Sequence, residues 1–131
     1  MKDSEVRQTN TLTLAFMGDA VYEVIVREKL METRVSHVNR LHKHGVVYVK
    51  AENQAKAITT IFDELTEDEQ ALVKRARNKH VGTKAKNASM MAYKWATAFE
   101  ALVGYLYLTG NKVRLKEIVE KAMEVIDEQS R

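Results

Sequence analysis

The absence of proline constrains the fold of this chain more than any other feature. Proline removes a backbone donor and ends helices, and the 131 residues contain none, with only five glycines. Gly45, Gly82 and Gly110 fall between stretches of helical periodicity, where helix stops and loops are expected. The sequence predicts an all-α fold, a compact bundle of about six helices near residues 10–30, 36–44, 46–62, 66–79, 88–109 and 112–128.

Two helix starts carry capping signals. Ser36 is a candidate N-cap for the second predicted helix. The tetrapeptide TEDE, Thr66 to Glu69, has the pattern of a capping box, in which the first and fourth residues bond each other's backbone. These signals set the expected beginnings of two helices in the middle of the chain.

Composition limits the class of protein. With 45% hydrophobic and 30% charged residues, the chain is long enough for one core, so residues 1–131 are expected to form a single domain. No run of 18 apolar residues is present, and the first ten residues are polar, which predicts a cytoplasmic protein with no membrane partner. Cysteine is absent, so a metal ion would be held by oxygen or imidazole ligands.

Two apolar stretches each contain an acid and a glycine. LTLAFMGDAVYEVIV, which begins at Leu12, includes Gly18 and Asp19, and TAFEALVGYLYL includes Glu100 and Gly104. Helical spacing places Asp19 within an apolar stripe, where it is not expected to be simply solvated. A glycine inside a helix costs about 1 kcal/mol relative to alanine, so both glycines predict a close approach of two helix backbones.

Close helix crossing would bring the two carboxylates together. Two such groups away from water repel each other, and one takes up a proton unless a cation lies between them. Mg²⁺ suits this arrangement because it binds one or two carboxylates and keeps several waters. Asp19 and Glu100 are therefore candidate magnesium ligands. The alternative is that each acid lies at the edge of its stripe in an ion pair with a lysine or arginine.

A basic segment lies between the two acids. From residue 70 to residue 99 the chain has no Asp or Glu, although it holds 18 in total. The densest part, KRARNKHVGTKAKN, combines cations with neutral donors suited to phosphate and ribose. A solvated basic loop is the alternative. The candidate RNA-binding residues, called here the basic tract, are Lys74, Arg75, Arg77, Asn78, Lys79, Thr83, Lys84, Lys86 and Asn87.

At this point the motifs resemble a known family. LAFMGDAVYE looks like the ribonuclease III signature LEFLGDA, and TAFEALVGYLYL looks like that family's second acidic motif, DTFEALIGAIYLD. With 131 residues there is no room for a following double-stranded-RNA-binding domain, and RARNKHVGTKAKN leads into the second motif. The chain is thus similar to the Mini-ribonuclease III family. That resemblance implies a ribonuclease III endonuclease-like fold, and an endoribonuclease that acts on precursors of large-subunit (23S) ribosomal RNA.

The resemblance also implies roles for individual residues. Asp19 matches the signature aspartate and Glu100 the essential glutamate of the second motif, so both are expected catalytic residues and Mg²⁺ ligands. Two acids of the ribonuclease III pattern are replaced by Ala15 and Thr97. The alanine also looks like the Mini-III pattern, which indicates a subfamily trait. The number of metal ions is left open.

The resemblance further implies a homodimer in which each subunit cuts one strand. Phe16 matches an aromatic residue that packs into the partner at the dimer interface, with ordinary packing inside its own subunit as the alternative. Glu23, one turn beyond Asp19, is either a further carboxylate of the metal site or the partner of Arg27 in an ion pair.

The sequence therefore predicts a Mg²⁺-dependent endoribonuclease for double-stranded RNA, in which metal-activated water attacks the phosphodiester. One alternative is a catalytically inactive RNA-binding module of the same fold, in which the two missing acids have abolished metal binding. Another is a helical protein-interaction domain whose basic tract docks an acidic partner. Dependence on magnesium separates the enzyme from both alternatives, and salt-sensitive binding of duplex RNA separates the two alternatives from each other.

Overall fold

The described residues of the chain fold mainly into helices. The structure is a computed structural model that describes residues 1–33, 37–79 and 88–129. Within those ranges there is no strand, and the all-α prediction is confirmed. The helices are α1 (Asp3–Gln8), α2 (Thr11–Met31), α3 (Val38–Val49), α4 (Ala51–Ile61), α5 (Glu67–Asn78), α6 (Ala88–Leu108) and α7 (Lys112–Gln129), with a 3₁₀ turn at Phe62–Glu64.

Two details of the predicted helices are wrong. Gly45 lies inside α3, and the break between α3 and α4 comes at Lys50, whose backbone is extended. A single glycine costs a helix only about 1 kcal/mol, which packing against α2 offsets, because α3 places Gly45 next to Leu30. The short helix α1 was not predicted; it buries Val6, while its other residues are polar and give no periodic signal.

Two other predicted helix boundaries, at Thr66 and Gly110, are confirmed. Thr66 Oγ1 accepts a hydrogen bond of 3.2 Å from the Glu69 backbone N–H, and Glu69 Oε1 accepts one of 2.9 Å from the Thr66 N–H, so the capping box is confirmed. Gly110 adopts a positive φ of 75° just after α6, as a glycine helix stop should. Ser36 and Gly82 lie outside the described residues.

Helix α6 is the centre of the molecule. It packs against α2, α4 and α5, and α7 closes the core against α4 and α6. Its buried residues include Phe99, whose ring meets that of Tyr22 edge to face at 5.0 Å between centroids. Because α6 carries Glu100, this packing fixes the acid relative to both α2 and α4. In the parts of the chain that the structure describes, no helix has the length and apolar character needed to cross a bilayer.

Polar links join the helices that surround α6 to one another. The Tyr22 hydroxyl donates to the Tyr48 carbonyl at 2.8 Å, and the Tyr48 hydroxyl donates to Asp127 on α7. Glu69 receives two hydrogen bonds from the Arg114 guanidinium, at 2.7 Å and 2.9 Å, which join α5 to α7. The scaffold around α6 is thus held by polar contacts as well as by its core.

Candidate active site

The two interior glycines allow α2 and α6 to touch backbone to backbone. A Cβ atom on Gly18 would lie 1.7 Å from the carbonyl oxygen of Glu100, and one on Gly104 would lie 2.0 Å from the carbonyl oxygen of Leu14. No side chain fits in either place, so the predicted close approach is confirmed. The crossing brings Asp19, which follows Gly18, next to Glu100.

Asp19 lies at the edge of the buried face of α2, and the prediction that it lies within the apolar stripe is wrong. The buried side of that helix is formed by residues such as Leu14, Tyr22 and Val26, while Asp19 is exposed. The helix is turned toward α6 by its small residues, Ala15 and Gly18, which shifts the stripe by part of a turn. Glu100 is the more buried of the two acids.

The two carboxyl groups interact directly. Burial raises the pKa of Glu100 to about 8, and a hydrogen bond to Asp19 together with the Asp19 negative charge acts in the same direction. In the metal-free protein at neutral pH, Glu100 therefore holds a proton that it donates to Asp19. This is the repulsion between paired acids that the sequence predicted, and a divalent cation would relieve it.

A third polar side chain, Gln54 of α4, lies beside this pair. Its amide lowers the pKa of Glu100, against the larger effects of burial and Asp19. Sequence reasoning missed this residue, although a signal was present. Gln54 lies four residues before Ile58 and seven before Ile61, which places a polar residue in an apolar stripe, as with Asp19 and Glu100.

The two positions that lack acids add no ligand. Ala15 is buried and apolar, and the Thr97 hydroxyl donates to the Tyr93 carbonyl of its own helix at 2.8 Å. Among the described residues no group of three or more His, Asp or Glu side chains could hold a metal ion. The candidate centre is therefore the pair Asp19 and Glu100, with Gln54 next to it.

Glu23 makes a different contact. Its carboxylate accepts a hydrogen bond of 3.1 Å from the Arg27 guanidinium, one turn further along α2. This is the ion pair that the sequence left as an alternative to a place in the metal site. Both side chains are largely exposed, so the pair adds little to stability.

The described part of the basic tract lies on α5 and just after it. No carboxylate of the described residues forms an ion pair with Lys74, Arg75, Arg77 or Lys79. The Arg77 guanidinium stacks on the Trp95 ring, 4.9 Å from its centroid, and donates to Asn78 Oδ1 at 3.0 Å. No described carboxylate neutralises these cations, so their charges can attract an anionic ligand. Thr83, Lys84, Lys86 and Asn87 lie outside the described residues.

Comparison with known proteins identifies the family of this chain. The model of the family described as Ribonuclease III domain matches residues 12–111. The chain is 46% identical to Mini-ribonuclease 3 of Thermoanaerobacter sp. strain X514, over 94% of this chain and 87% of that protein. It is 39% identical to Mini-ribonuclease 3 of Streptococcus pneumoniae, over 94% of this chain and 98% of that one. The chain belongs to the Mini-ribonuclease 3 family.

A solved structure has a similar fold. The fold is similar to a crystal structure of a Fusobacterium nucleatum protein, with a TM-score of 0.79 and 30% identity over 95% of this chain and 98% of that one. Membership of the Mini-ribonuclease 3 family makes the chain an endoribonuclease of the ribonuclease III type. Enzymes of that type act on double-stranded RNA and generally depend on divalent metal ions.

Phe16 is the largest apolar side chain exposed on α2. It precedes Gly18 by two residues, and its side chain is 80% exposed in the single chain. Packing inside its own subunit, the alternative left by the sequence, is therefore wrong. Phe16 is therefore available for a contact outside its own subunit.

Proposed function

We propose that this protein is a Mg²⁺-dependent endoribonuclease that cleaves double-stranded RNA at the Asp19 and Glu100 pair. The observation that supports it is the contact between these two carboxyl groups at a helix crossing that only glycine allows. A protein gains no stability by placing two acids side by side in a partly buried position. Such pairs are typical of sites where a cation binds.

The chemistry of the donors fits magnesium. The pair offers carboxylate oxygens and no sulfur or imidazole, and two carboxylates leave room for the several waters that Mg²⁺ retains. Bound Mg²⁺ supplies positive charge to the reacting phosphodiester and lowers the pKa of the attacking water. Asp19 and Glu100 would hold the ion between α2 and α6, and Glu100 would give up its proton when the ion binds.

The substrate is held by the basic tract. Its described cations have no carboxylate partner among the residues that the structure describes, and together they would neutralise several phosphates of one RNA strand. Asn78, Thr83 and Asn87 would contribute neutral donors to phosphate and to 2′-hydroxyl groups. The tract therefore supports recognition of duplex shape rather than of a long base sequence.

Two copies of the chain would act together. In the proposed homodimer the exposed Phe16 is covered by the partner subunit, and two active sites face one duplex, each cutting one strand. Pairing also brings two basic tracts to one substrate, which raises affinity for the RNA. We place the enzyme in the cytoplasm, in maturation of the 23S ribosomal RNA precursor, on the basis of its family.

The test is cleavage of a defined RNA duplex with magnesium and with a chelator in its place. The duplex should be cut only with magnesium, and its products should have staggered ends. A single-stranded RNA of the same composition and a DNA duplex of the same sequence should both be cut poorly, because they lack the A-form groove. Duplex binding without cleavage at any magnesium concentration would contradict the proposal and identify a non-catalytic RNA-binding module.

A further inference from the structure

Gln54 is buried without a hydrogen-bond partner for its amide nitrogen. Its side chain is only 2% exposed, and no described residue accepts a hydrogen bond from Nε2. An unsatisfied buried donor costs about 1–3 kcal/mol, and most buried polar atoms in folded proteins have partners. A packing role would be met by an apolar residue at lower cost, so the amide requires another explanation.

The Gln54 amide interacts with the Glu100 carboxyl. Helix α4 packs along α6, and the Gln54 amide interacts with Glu100 without completing a hydrogen bond of normal geometry. The Glu100 carboxyl also meets the Asp19 side chain of α2. Gln54 is thus a buried donor without a partner, next to an acceptor that belongs to the candidate metal site.

The position of Gln54 is fixed by its surroundings. It shares the buried face of α4 with Ile58 and Ile61, which pack in the core. The neighbouring Asn53 side chain donates to the Val47 carbonyl at 2.7 Å and holds the start of α4 against the end of α3. A side chain anchored in this way can act as a fixed donor.

The side chains of Thr97 and Ala15 offer no free donor to Glu100. The Thr97 hydroxyl, one turn earlier on α6, is bonded to the Tyr93 carbonyl, and Ala15 on the facing helix has no polar atom. The carboxylate of a metal ligand has two oxygens, and a donor on one of them decides which way the other points. Gln54 is a buried donor that interacts with Glu100 and has no other partner for its amide nitrogen among the described residues.

We propose that Gln54 is a positioning residue for the metal site: its Nε2–H donates to one oxygen of ionised Glu100 and turns the other toward the ion shared with Asp19. Gln54 itself does not touch the ion or the RNA. This role rests on the metal site proposed above. It would make Gln54, on a third helix, part of what sets the affinity of the site for its cation.

The experiment measures binding of Mn²⁺, used as a probe for the magnesium site, to the full chain without RNA. Gln54→Met keeps the length and volume of the side chain and removes the donor. Thr11→Val is the matched control, because Thr11 Oγ1 is the other buried side-chain atom without a partner among the described residues. It lies about 12 Å along α2 from Asp19 at 1.5 Å per residue. Melting temperatures show that both variants fold.

The expected result is a Mn²⁺ dissociation constant raised about 10- to 100-fold in Gln54→Met and unchanged in Thr11→Val. In cleavage assays Gln54→Met should need more Mg²⁺ while keeping the same KM for RNA. Equal Mn²⁺ affinity in wild type and Gln54→Met would overturn the role of Gln54 and leave the metal site standing. A wild-type protein that binds no Mn²⁺ would overturn both.

A second measurement does not depend on any variant. In the wild-type protein, the side-chain amide proton resonances of Gln54 should shift on addition of Mg²⁺ and saturate together with metal binding, because the hydrogen bond to Glu100 forms only then. Side-chain amide signals of Asn53, the adjacent residue bonded to Val47, serve as the internal control and should not move. Gln54 signals that stay in place while the metal binds would contradict the positioning role.

Discussion

At the scale of the residue, the defining feature is a carboxyl group that keeps its proton at neutral pH. Glu100 is held next to Asp19 by the helix crossing, and its pKa is raised to about 8 by burial first and by Asp19 second. In the unfolded chain the same group has a pKa near its ordinary value of 4.5. The protein therefore carries a destabilising acid, which the proposed metal site would explain.

The raised pKa predicts how stability changes with pH. Because folded Glu100 binds its proton more tightly than unfolded Glu100, the metal-free protein should lose stability as pH rises from about 4.5 to about 8, by at most about 1.4 kcal/mol per pH unit. Glu100→Gln cannot ionise, so it should be the more stable protein at pH 8.5. Urea unfolding with a chelator, at pH 5.5 and pH 8.5, measures the difference.

The control for this prediction is Glu23→Gln, which removes an exposed acid of α2 that is paired with Arg27. Its stability should follow that of the wild type across the same pH range. Parallel curves for wild type and Glu100→Gln would show that Glu100 is ionised throughout, and that the two acids do not share a proton.

Residue patterns in the sequence revealed part of this site. Asp19 and Glu100 were predicted because acids interrupt apolar helices, and the glycines beside them predicted the close contact. Gln54 was missed, since helical spacing describes one helix at a time and does not say which helices meet. Its contact with Glu100 depends on the packing of α4 against α6, which is a property of the whole fold.

At the scale of the element, the observed helix boundaries differ from the predicted ones where packing between helices, and not local sequence, decides them. Thr66 and Glu69 form their capping box through local contacts, so the start of α5 could be predicted. The sequence predicts a helix stop at Gly45, yet α3 continues through it to Val49. Packing between helices outweighs the small cost in stability of one glycine inside a helix. A glycine alone does not say whether it ends a helix or lies against a neighbour.

These two kinds of glycine can be separated experimentally. Gly18→Ala would place a methyl group 1.7 Å from a backbone oxygen of α6, so the helices must move apart, and we expect a loss of at least about 3 kcal/mol together with lost cleavage. Gly45→Ala meets only the Leu30 Cδ1 atom at 3.6 Å. It should be neutral or stabilising by up to about 1 kcal/mol.

Thermal or urea unfolding of the two alanine variants measures this contrast. The same substitution is made in both, so intrinsic helix propensity favours alanine equally, and only the surroundings differ. A Gly18→Ala protein as stable as Gly45→Ala would mean that α2 and α6 are not in backbone contact, and the geometry proposed for the metal site would then be wrong.

At the scale of the whole molecule, the proposed dimer depends on Phe16. Phe16→Ala should raise the dimer dissociation constant by about tenfold or more, since an exposed aromatic side chain at an interface is a typical hot spot. Val113 on α7 is exposed to the same degree, at 82%, and Val113→Ala is the control. Sedimentation velocity measures the dimer dissociation constants of both variants. Equal changes in the two constants would place the interface elsewhere.

The basic tract makes a separate prediction about RNA binding. Arg75→Gln with Lys79→Gln removes two exposed cations and should flatten the dependence of log K on log salt by about 0.9 for each lost phosphate contact. Lys112→Gln with Lys116→Gln removes the same charge from α7 and should leave the slope unchanged. Equal slopes in both double variants would show that the tract faces away from the RNA.

The central claim is that Asp19 and Glu100 hold one metal ion for cleavage. The most direct test is the single-turnover cleavage rate of a defined RNA duplex, at saturating Mg²⁺, for Asp19→Asn, Glu100→Gln and the double variant. Each single change should lower the rate by orders of magnitude, and the double variant should be no slower than the singles, because the two acids act as one unit. Cleavage near the wild-type rate in either single variant, or losses that multiply in the double variant, would contradict a shared ion.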